Sequence, residues 1–200
     1  MNAVNKGIEI VYKRYDTKVF KLKQMELERV PSLCTTGSIG KEFFKQSLSN
    51  ADAYVIAYDV YKNGLRGSIR GFACLKFDVY PDFVYLDLIC RGGSTRMNYR
   101  GKPSAAPGRA IMEAVKSVAR ATRRKGVVLS ALQKVIGYYK KLGFRITTDL
   151  ACNRRTTLNR KGRMWTFTKD FYKEPNLRAI TLYNKKMLAE EYGTLMLWCA

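Results

Sequence analysis

Any chemistry in this chain has to be done without histidine. None of the 200 residues is His. That removes Ser-His and Cys-His nucleophilic pairs and leaves proton transfer to a carboxylate, tyrosine, lysine, cysteine or water. Asp87 is the best single carboxylate, set inside the apolar run Phe83–Cys90 (FVYLDLIC). By strand alternation it shares a side with Tyr85 and Ile89, opposite Val84, Leu86 and Leu88. A carboxylate in such a run either faces a cleft or pairs with a cation. Asp59 and Glu42 are weaker candidates. A second feature suits anions. The Gly- and Arg-rich segment Arg91–Pro107 joins that run to Gly108-Arg109-Ala110, where a helical pattern begins. Strand, glycine loop and helix N-terminus together aim free N–H groups and a dipole at a negative ligand.

These residues need elements to hold them. Ile111, Ala114, Val115 and Val118 recur at helical spacing, which predicts an amphipathic helix over Gly108–Lys125 with Arg123, Arg124 and Lys125 in its last turn and Gly126 as the left-handed residue that ends it. Val127–Leu129 reads as a short buried strand. A second, shorter helix carries Val135, Ile136, Tyr139 and Leu142 on one face, with Gly143 and Phe144 as a Schellman ending. Strand, helix, strand is the crossover of a parallel pair. Upstream, Gly7–Tyr15 alternates like a half-buried strand, and Thr17–Leu27 fits a hairpin partner or a lead into a helix. Ser38–Ser49 is helical, with Ser38 a candidate N-cap and Phe43 and Phe44 either cleft wall or core. Ala53–Tyr61, Ser68–Val79 and Phe83–Cys90 form an antiparallel meander, the first two joined through Asn63-Gly64. Arg145–Thr148 and Thr194–Trp198 are the last strands. Between them Asp149–Glu191 is a basic excursion, with a helix expected over Leu177–Glu191.

Three segments carry a family resemblance. Tyr139-Lys140-Lys141-Leu142-Gly143-Phe144 resembles the Y-x-K-L-G-F segment of GNAT N-acetyltransferases. Gly108-Arg109-Ala110 resembles the end of their (Q/R)-x-x-G-x-(G/A) pyrophosphate loop, and Tyr99-Arg100-Gly101-Lys102 the Y-R-G-K before it. The resemblance implies one α+β domain over residues 1–200: a mixed sheet with strands 1–4 antiparallel and strand 5 parallel, helices on both faces, and an insertion at about 149–191 before the last strand. It implies acetyl-CoA as cosubstrate and Tyr139 as the acid that protonates the leaving thiolate. For the base that frees the acceptor amine, the residues themselves offer Asp87, with a salt bridge as its alternative role. Backbone groups of Leu88, Ile89 and Cys90 would meet the pantetheine arm where strands 4 and 5 splay apart. Gly108, Arg109 and Ala110 would meet the diphosphate. One position departs from the pattern: Ala105 stands where the family has Gln or Arg. Arg100 or Lys102 looping back, or the helix N–H groups alone, would have to serve instead.

Composition sets the partners. Lys and Arg number 37 against 16 Asp and Glu, a formal charge of +21. This points to nucleic acid or another polyanion, or to an acidic substrate, and disfavours polyamines. The aromatics Trp165, Phe167 and Tyr172, set among Arg154, Arg155, Arg160 and Lys161, either stack on bases or pack the insertion. Five scattered cysteines without C-x-x-C or His argue against a structural zinc site and for reduced, buried thiols in a cytoplasmic protein. No stretch is long and apolar enough to span a membrane. Two functions stay open. One is an acetyl-CoA-dependent N-acetyltransferase acting on a protein, RNA-linked or small-molecule amine. The other is a catalytically degenerate protein of the same fold that binds nucleic acid or serves as a scaffold.

Overall fold

The structure, a computed structural model, describes residues 3–29, 40–91, 107–132, 135–147, 152 and 194–200. The loop residues Arg100 and Lys102 and, apart from Cys152, the basic insertion with its helix over Leu177–Glu191 lie outside the described residues. So does Ser38, and the expectation that it caps a helix is corrected, because that helix starts at Lys41 with Gly40 as its N-cap.

The elements run β1 (Ala3–Tyr12), α1 (Thr17–Glu28), α2 (Lys41–Ser49), β2 (Ala53–Tyr61), β3 (Arg66–Lys76), β4 (Phe83–Arg91), α3 (Gly108–Ala121), β5 (Gly126–Ala131), α4 (Ile136–Lys141), β6 (Arg145–Ile146) and β7 (Thr194–Cys199). They build one seven-stranded sheet in the order β1-β2-β3-β4-β5-β7-β6, with β4 and β5 parallel and every other pair antiparallel. This is the expected mixed sheet. Thr17–Leu27 resolves as helix because Asp16 caps it, accepting from the Val19 amide at 2.9 Å.

Strand alternation in β2 sends Ala53, Val55 and Ala57 to one face and Tyr54 and Ile56 to the other. The first face packs against Ile111, Met112, Val115, Val118 and Ala119 of α3 and Tyr139 of α4. The second packs against Phe20 and Leu27 of α1 and Phe44 and Leu48 of α2. Phe44 therefore belongs to the core, while Phe43 is 46% exposed.

Two helix endings differ in how well the sequence describes them. At α4, Gly143 has φ +84, its amide donates to the Lys140 carbonyl and the Phe144 amide donates to the Tyr139 carbonyl. The Phe144 and Tyr139 rings meet at 5.9 Å. This is the expected Schellman ending. At α3 the expectation fails: the helix stops at Ala121, and the left-handed residue is Arg123 with φ +56, not Gly126. Gly126 is instead the first residue of β5, where a Cβ would lie 2.0 Å from the Trp198 carbonyl oxygen. Its lack of a side chain serves close strand approach.

The thiols also depart from expectation. Cys152 and Cys199 form a disulfide, and Cys90 is disulfide-bonded too. Cys74, wholly buried, is the free thiol among the described residues. Cys152 and Cys199 are 47 residues apart in sequence with Cα atoms 5.5 Å apart, so their pairing follows from the fold rather than from any local spacing.

Candidate active site

The site begins where two parallel strands part. β4 and β5 pair only from Phe83 opposite Gly126 to Leu86 opposite Leu129. Both strands continue: β4 stays on β3 as far as Arg91 opposite Gly71, and β5 stays on β7 as far as Ala131 opposite Thr194. The sheet therefore forks past Leu86, between strands that remain anchored on their outer sides.

A bulge accompanies the fork. Leu75 is opposite Leu86 but Cys74 is opposite Leu88, so Asp87 is the extra residue on β4. The bulge also shifts the alternation. Val84 and Leu86 face the α3 core, yet Leu88 and Cys90 enter the α1–α2 core and Ile89 packs on the α3 side. The expected grouping of Asp87 with Ile89, and of Leu88 with Val84, is corrected accordingly: one inserted residue inverts every later side chain. Leu88, Ile89 and Cys90 do occupy the diverging segment of β4, and the Cys90 sulfur is bonded, as noted.

Asp87 turns out to be paired. Its side chain is 6% exposed, and Lys76 of β3 brings Nζ to 2.9 Å from Oδ2. That oxygen lacks a hydrogen bond of ordinary alignment, so the contact is an ion pair more than a directed bond. The carboxylate thus both pairs with a cation and stands at the fork. Asp59 is buried and accepts from Arg70 Nε at 2.6 Å, away from the fork, and Glu42 is exposed in the first turn of α2.

The N-terminus of α3 sits at the same place. A Cβ on Gly71 would fall 2.7 Å from the Cys90 carbonyl oxygen, 3.1 Å from Ile111 Cδ1 and 3.2 Å from Pro107 Cγ. Bare backbone at Gly71 therefore lets the first turn of α3 rest on β3 and β4 at their diverging end. Pro107 occupies the N-cap with no side-chain cap, and the first turn has no acidic residue. Gly108, Arg109 and Ala110 follow, with Arg109 exposed. Their amides precede the first intrahelical bond, Ile111 N–H to the Pro107 carbonyl at 2.9 Å.

Helix α4 closes the arrangement. A Cβ on Gly108 would lie 2.6 Å from the Tyr138 hydroxyl oxygen, so α4 reaches the first turn of α3. Tyr139, one residue on, is 6% exposed among the α3 core residues, with its ring 5.2 Å from that of Tyr138. Burial, reinforced by Tyr138 beside it, pushes the Tyr139 phenol well above the usual tyrosine range. Burial raises Tyr138 as well. Sequence reasoning missed Lys76, Gly71 and Tyr138. Tyr138 carried the best available signal, a second tyrosine beside the motif tyrosine, but its direction depends on how α4 packs.

No protein-family model and no curated protein matches the sequence. Solved structures do. The GCN5 of Tetrahymena is similar with a TM-score of 0.52 and 15% identity, over 96% of this chain and 95% of that one. The catalytic domain of the Tetrahymena GCN5 histone acetyltransferase in complex with coenzyme A is similar with a TM-score of 0.48 and 15% identity, over 100% and 95%. N-acetylglutamate synthase from Neisseria gonorrhoeae, complexed with coenzyme A and N-acetyl-glutamate, gives a TM-score of 0.44 and 12% identity over 96% of this chain. The chain spans only 35% of the length of that synthase. Sheet order, forked parallel pair and helix placement, together with the match along nearly the whole of Tetrahymena GCN5, give this chain the fold of the GNAT acetyltransferases.

Proposed function

We propose that the chain is an acetyl-CoA-dependent N-acetyltransferase that transfers acetyl directly to an amine. The observation that carries this reading is the fork: β4 and β5 part after Leu86 and Leu129, and the uncapped N-terminus of α3 stands at the mouth. An arm bearing amides fits between strands that have stopped pairing with each other, and a diphosphate fits a first turn with free donors and no side chain at Gly108. Gly108, Arg109 and Ala110 would hold the phosphates, and backbone of the Leu88–Cys90 segment the arm. Acetyl-CoA, when bound, supplies the acetyl group activated as a thioester.

The chain's own residues supply proton control. Tyr139 is the proton donor for the departing thiolate in this reading. Burial keeps its phenol protonated at neutral pH while also making it a weaker acid, so its place beside the fork and not its pKa supports the role. Asp87 is the carboxylate nearest the fork able to accept a proton from the acceptor amine, with Lys76 compensating its charge while buried. The net charge of +21 favours an acceptor that is anionic or is carried by a polyanion such as RNA or DNA.

Thermal denaturation with and without acetyl-CoA tests the reading. Ligand binding to the native state alone raises the melting temperature by mass action. Gly108→Glu should abolish the rise by placing bulk and negative charge at the helix start. No rise for the wild type at millimolar acetyl-CoA would overturn the enzyme reading and favour the nucleic-acid-binding alternative. Filter binding to RNA and DNA across salt concentrations then checks that alternative, since phosphate contacts weaken steeply with salt.

A further inference from the structure

Lys116 is a charged residue in a place where charges are seldom found. It lies in the middle of α3, is 6% exposed and sits among core residues. Its ammonium donates to the Leu142 carbonyl at 2.8 Å and to Glu113 Oε1 at 2.9 Å. The third side is the Trp198 ring of β7, with Nζ 5.2 Å from the centroid, and Arg120 lies over the same ring at 5.0 Å. Burying a lysine is costly unless all its donors are matched. Here they are matched by a carboxylate, a carbonyl and an aromatic face.

The carbonyl is the informative partner. Leu142 is the C-cap of α4, a helix of six residues. So short a helix has little stability of its own. The Schellman bonds of Gly143 and Phe144 satisfy the Lys140 and Tyr139 carbonyls, and the Leu142 carbonyl goes to Lys116. A cation at that end also suits the helix dipole. Trp198 lies against Gly143, its indole Cδ1 at an ordinary contact distance of 3.6 Å from where a Cβ would stand. The end of α4 is thus wedged between a lysine and a tryptophan.

We propose that Lys116 is the positioning residue of the site: by holding the C-terminal end of α4 on α3, it fixes Tyr139 relative to the helix start at Gly108. Lys116 is eight residues beyond Gly108, or about 12 Å along the helix axis. One rigid helix therefore carries the phosphate-binding end and the clamp on the proton donor. The inference rests on the acetyl-transfer reading for its consequence in catalysis, but its structural claim stands without it.

The test labels the full chain with 3-fluorotyrosine and assigns the Tyr139 fluorine resonance with Tyr139→Phe. In Lys116→Met the Tyr139 signal should broaden or move toward the position of unfolded tyrosine, while acetyl-CoA affinity by calorimetry changes by less than about threefold. Lys116→Arg, which keeps charge and donors, should restore the signal. With an acceptor in hand, turnover of Lys116→Met should fall by about 10²-fold with KM for acetyl-CoA unchanged, as for a misplaced catalytic group. An unmoved Tyr139 resonance in folded Lys116→Met overturns the proposal. If Lys116→Met does not fold, Lys116→Gln takes its place, and an unmoved resonance there overturns it equally. Absence of acetyl-CoA binding in the wild type would sink the acetyl-transfer reading instead, and the resonance would still decide the role of Lys116.

Discussion

The parallel pair β4–β5 has two ends built on opposite plans. At the closed end, from Phe83 to Leu86, everything converges. Arg124 Nη1 donates to the carbonyls of Phe77 at 2.9 Å and Phe83 at 3.1 Å, with Tyr80 and Pro81 also in reach, while the Lys125 amide bonds the Asp82 carbonyl at 2.7 Å. Gly126 lets β7 press against the start of β5. At the open end, from Asp87 to Arg91, the ladder to β5 has stopped, Asp87 bulges out of the pairing with β3, and bare glycines at 71 and 108 let the first turn of α3 and the end of Tyr138 come close. One end is packed to hold the strands together and the other is arranged to keep them apart. Substitutions at the closed end should therefore register as lost stability, and those at the open end as lost ligand binding or turnover.

The largest effect is expected at Gly126. A Cβ there would lie 2.0 Å from a backbone oxygen, so the strand must move rather than a side chain. Gly126→Ala should cost about 3 kcal/mol or more of unfolding free energy, at the upper end of overpacking costs. Denaturant melts check it, and an unchanged midpoint would mean that the two strands are not so closely apposed. Arg124→Ala comes next. It strands several carbonyls of the β3–β4 turn and removes a cation from the Phe77 face, 5.0 Å away. A loss of about 2 kcal/mol follows from unmade hydrogen bonds to a charged donor, with acetyl-CoA affinity unaltered. If affinity fell along with stability, the two ends would not be separable.

Gly108→Ala sharpens the contrast from the other side. Its Cβ would meet the far end of Tyr138, a side chain that can swing, so stability should change little. Acetyl-CoA affinity should nonetheless fall about tenfold, or 1.4 kcal/mol, because the methyl occupies the mouth of the fork. Retained affinity would place the phosphates elsewhere.

How much of this could be read from the sequence divides along similar lines. Features fixed by neighbours in sequence were legible: the meander by alternation, α3 by its apolar stripe, and the α4 ending by Gly143 and Phe144. The segment Thr17–Leu27 was ambiguous because Val19, Phe20 and Leu22 suit both periods, and the Asp16 cap settles it. What the sequence hid depends on partners far along the chain. The bulge at Asp87 exists only relative to β3, so strand alternation assigned Leu88 and Ile89 to the wrong faces. The ion pair with Lys76, the disulfide of Cys152 with Cys199 and the reach of Tyr138 to Gly108 are likewise products of register and packing. Arg123 displaced Gly126 as the left-handed residue because close approach to β7 had a stronger claim on the glycine.

The smallest effects distinguish two buried tyrosines whose phenols are shifted the same way. Tyr54 belongs to the α1–α2 core: its hydroxyl donates to the Leu48 carbonyl at 2.6 Å and its ring stacks on Phe20 at 4.3 Å. Tyr139 stands beside the fork. Burial raises both above the ordinary value of 10.0. Below pH 10 both phenols are protonated in the folded and unfolded chain alike and contribute no pH dependence. Above it the unfolded chain gives up these protons while the native state keeps them, so stability falls as pH rises. The fall should begin earlier, near pH 9, through the buried Cys74 thiol, which burial holds well above its ordinary 9.0. Tyr54→Phe and Tyr139→Phe should each make the alkaline decline shallower in melts taken from pH 8 to 11. At neutral pH they should part company. Tyr54→Phe leaves the Leu48 carbonyl without its donor and should cost about 1 kcal/mol. Tyr139→Phe keeps the ring on Phe144 and should leave the melting temperature nearly unchanged while lowering turnover with little effect on acetyl-CoA affinity, the pattern of a group that acts in the transition state. Were Tyr139→Phe to cost as much stability as Tyr54→Phe and leave turnover intact, Tyr139 would be a second structural tyrosine, and the proton donor would have to be sought in Tyr138, whose hydroxyl already stands at the start of α3.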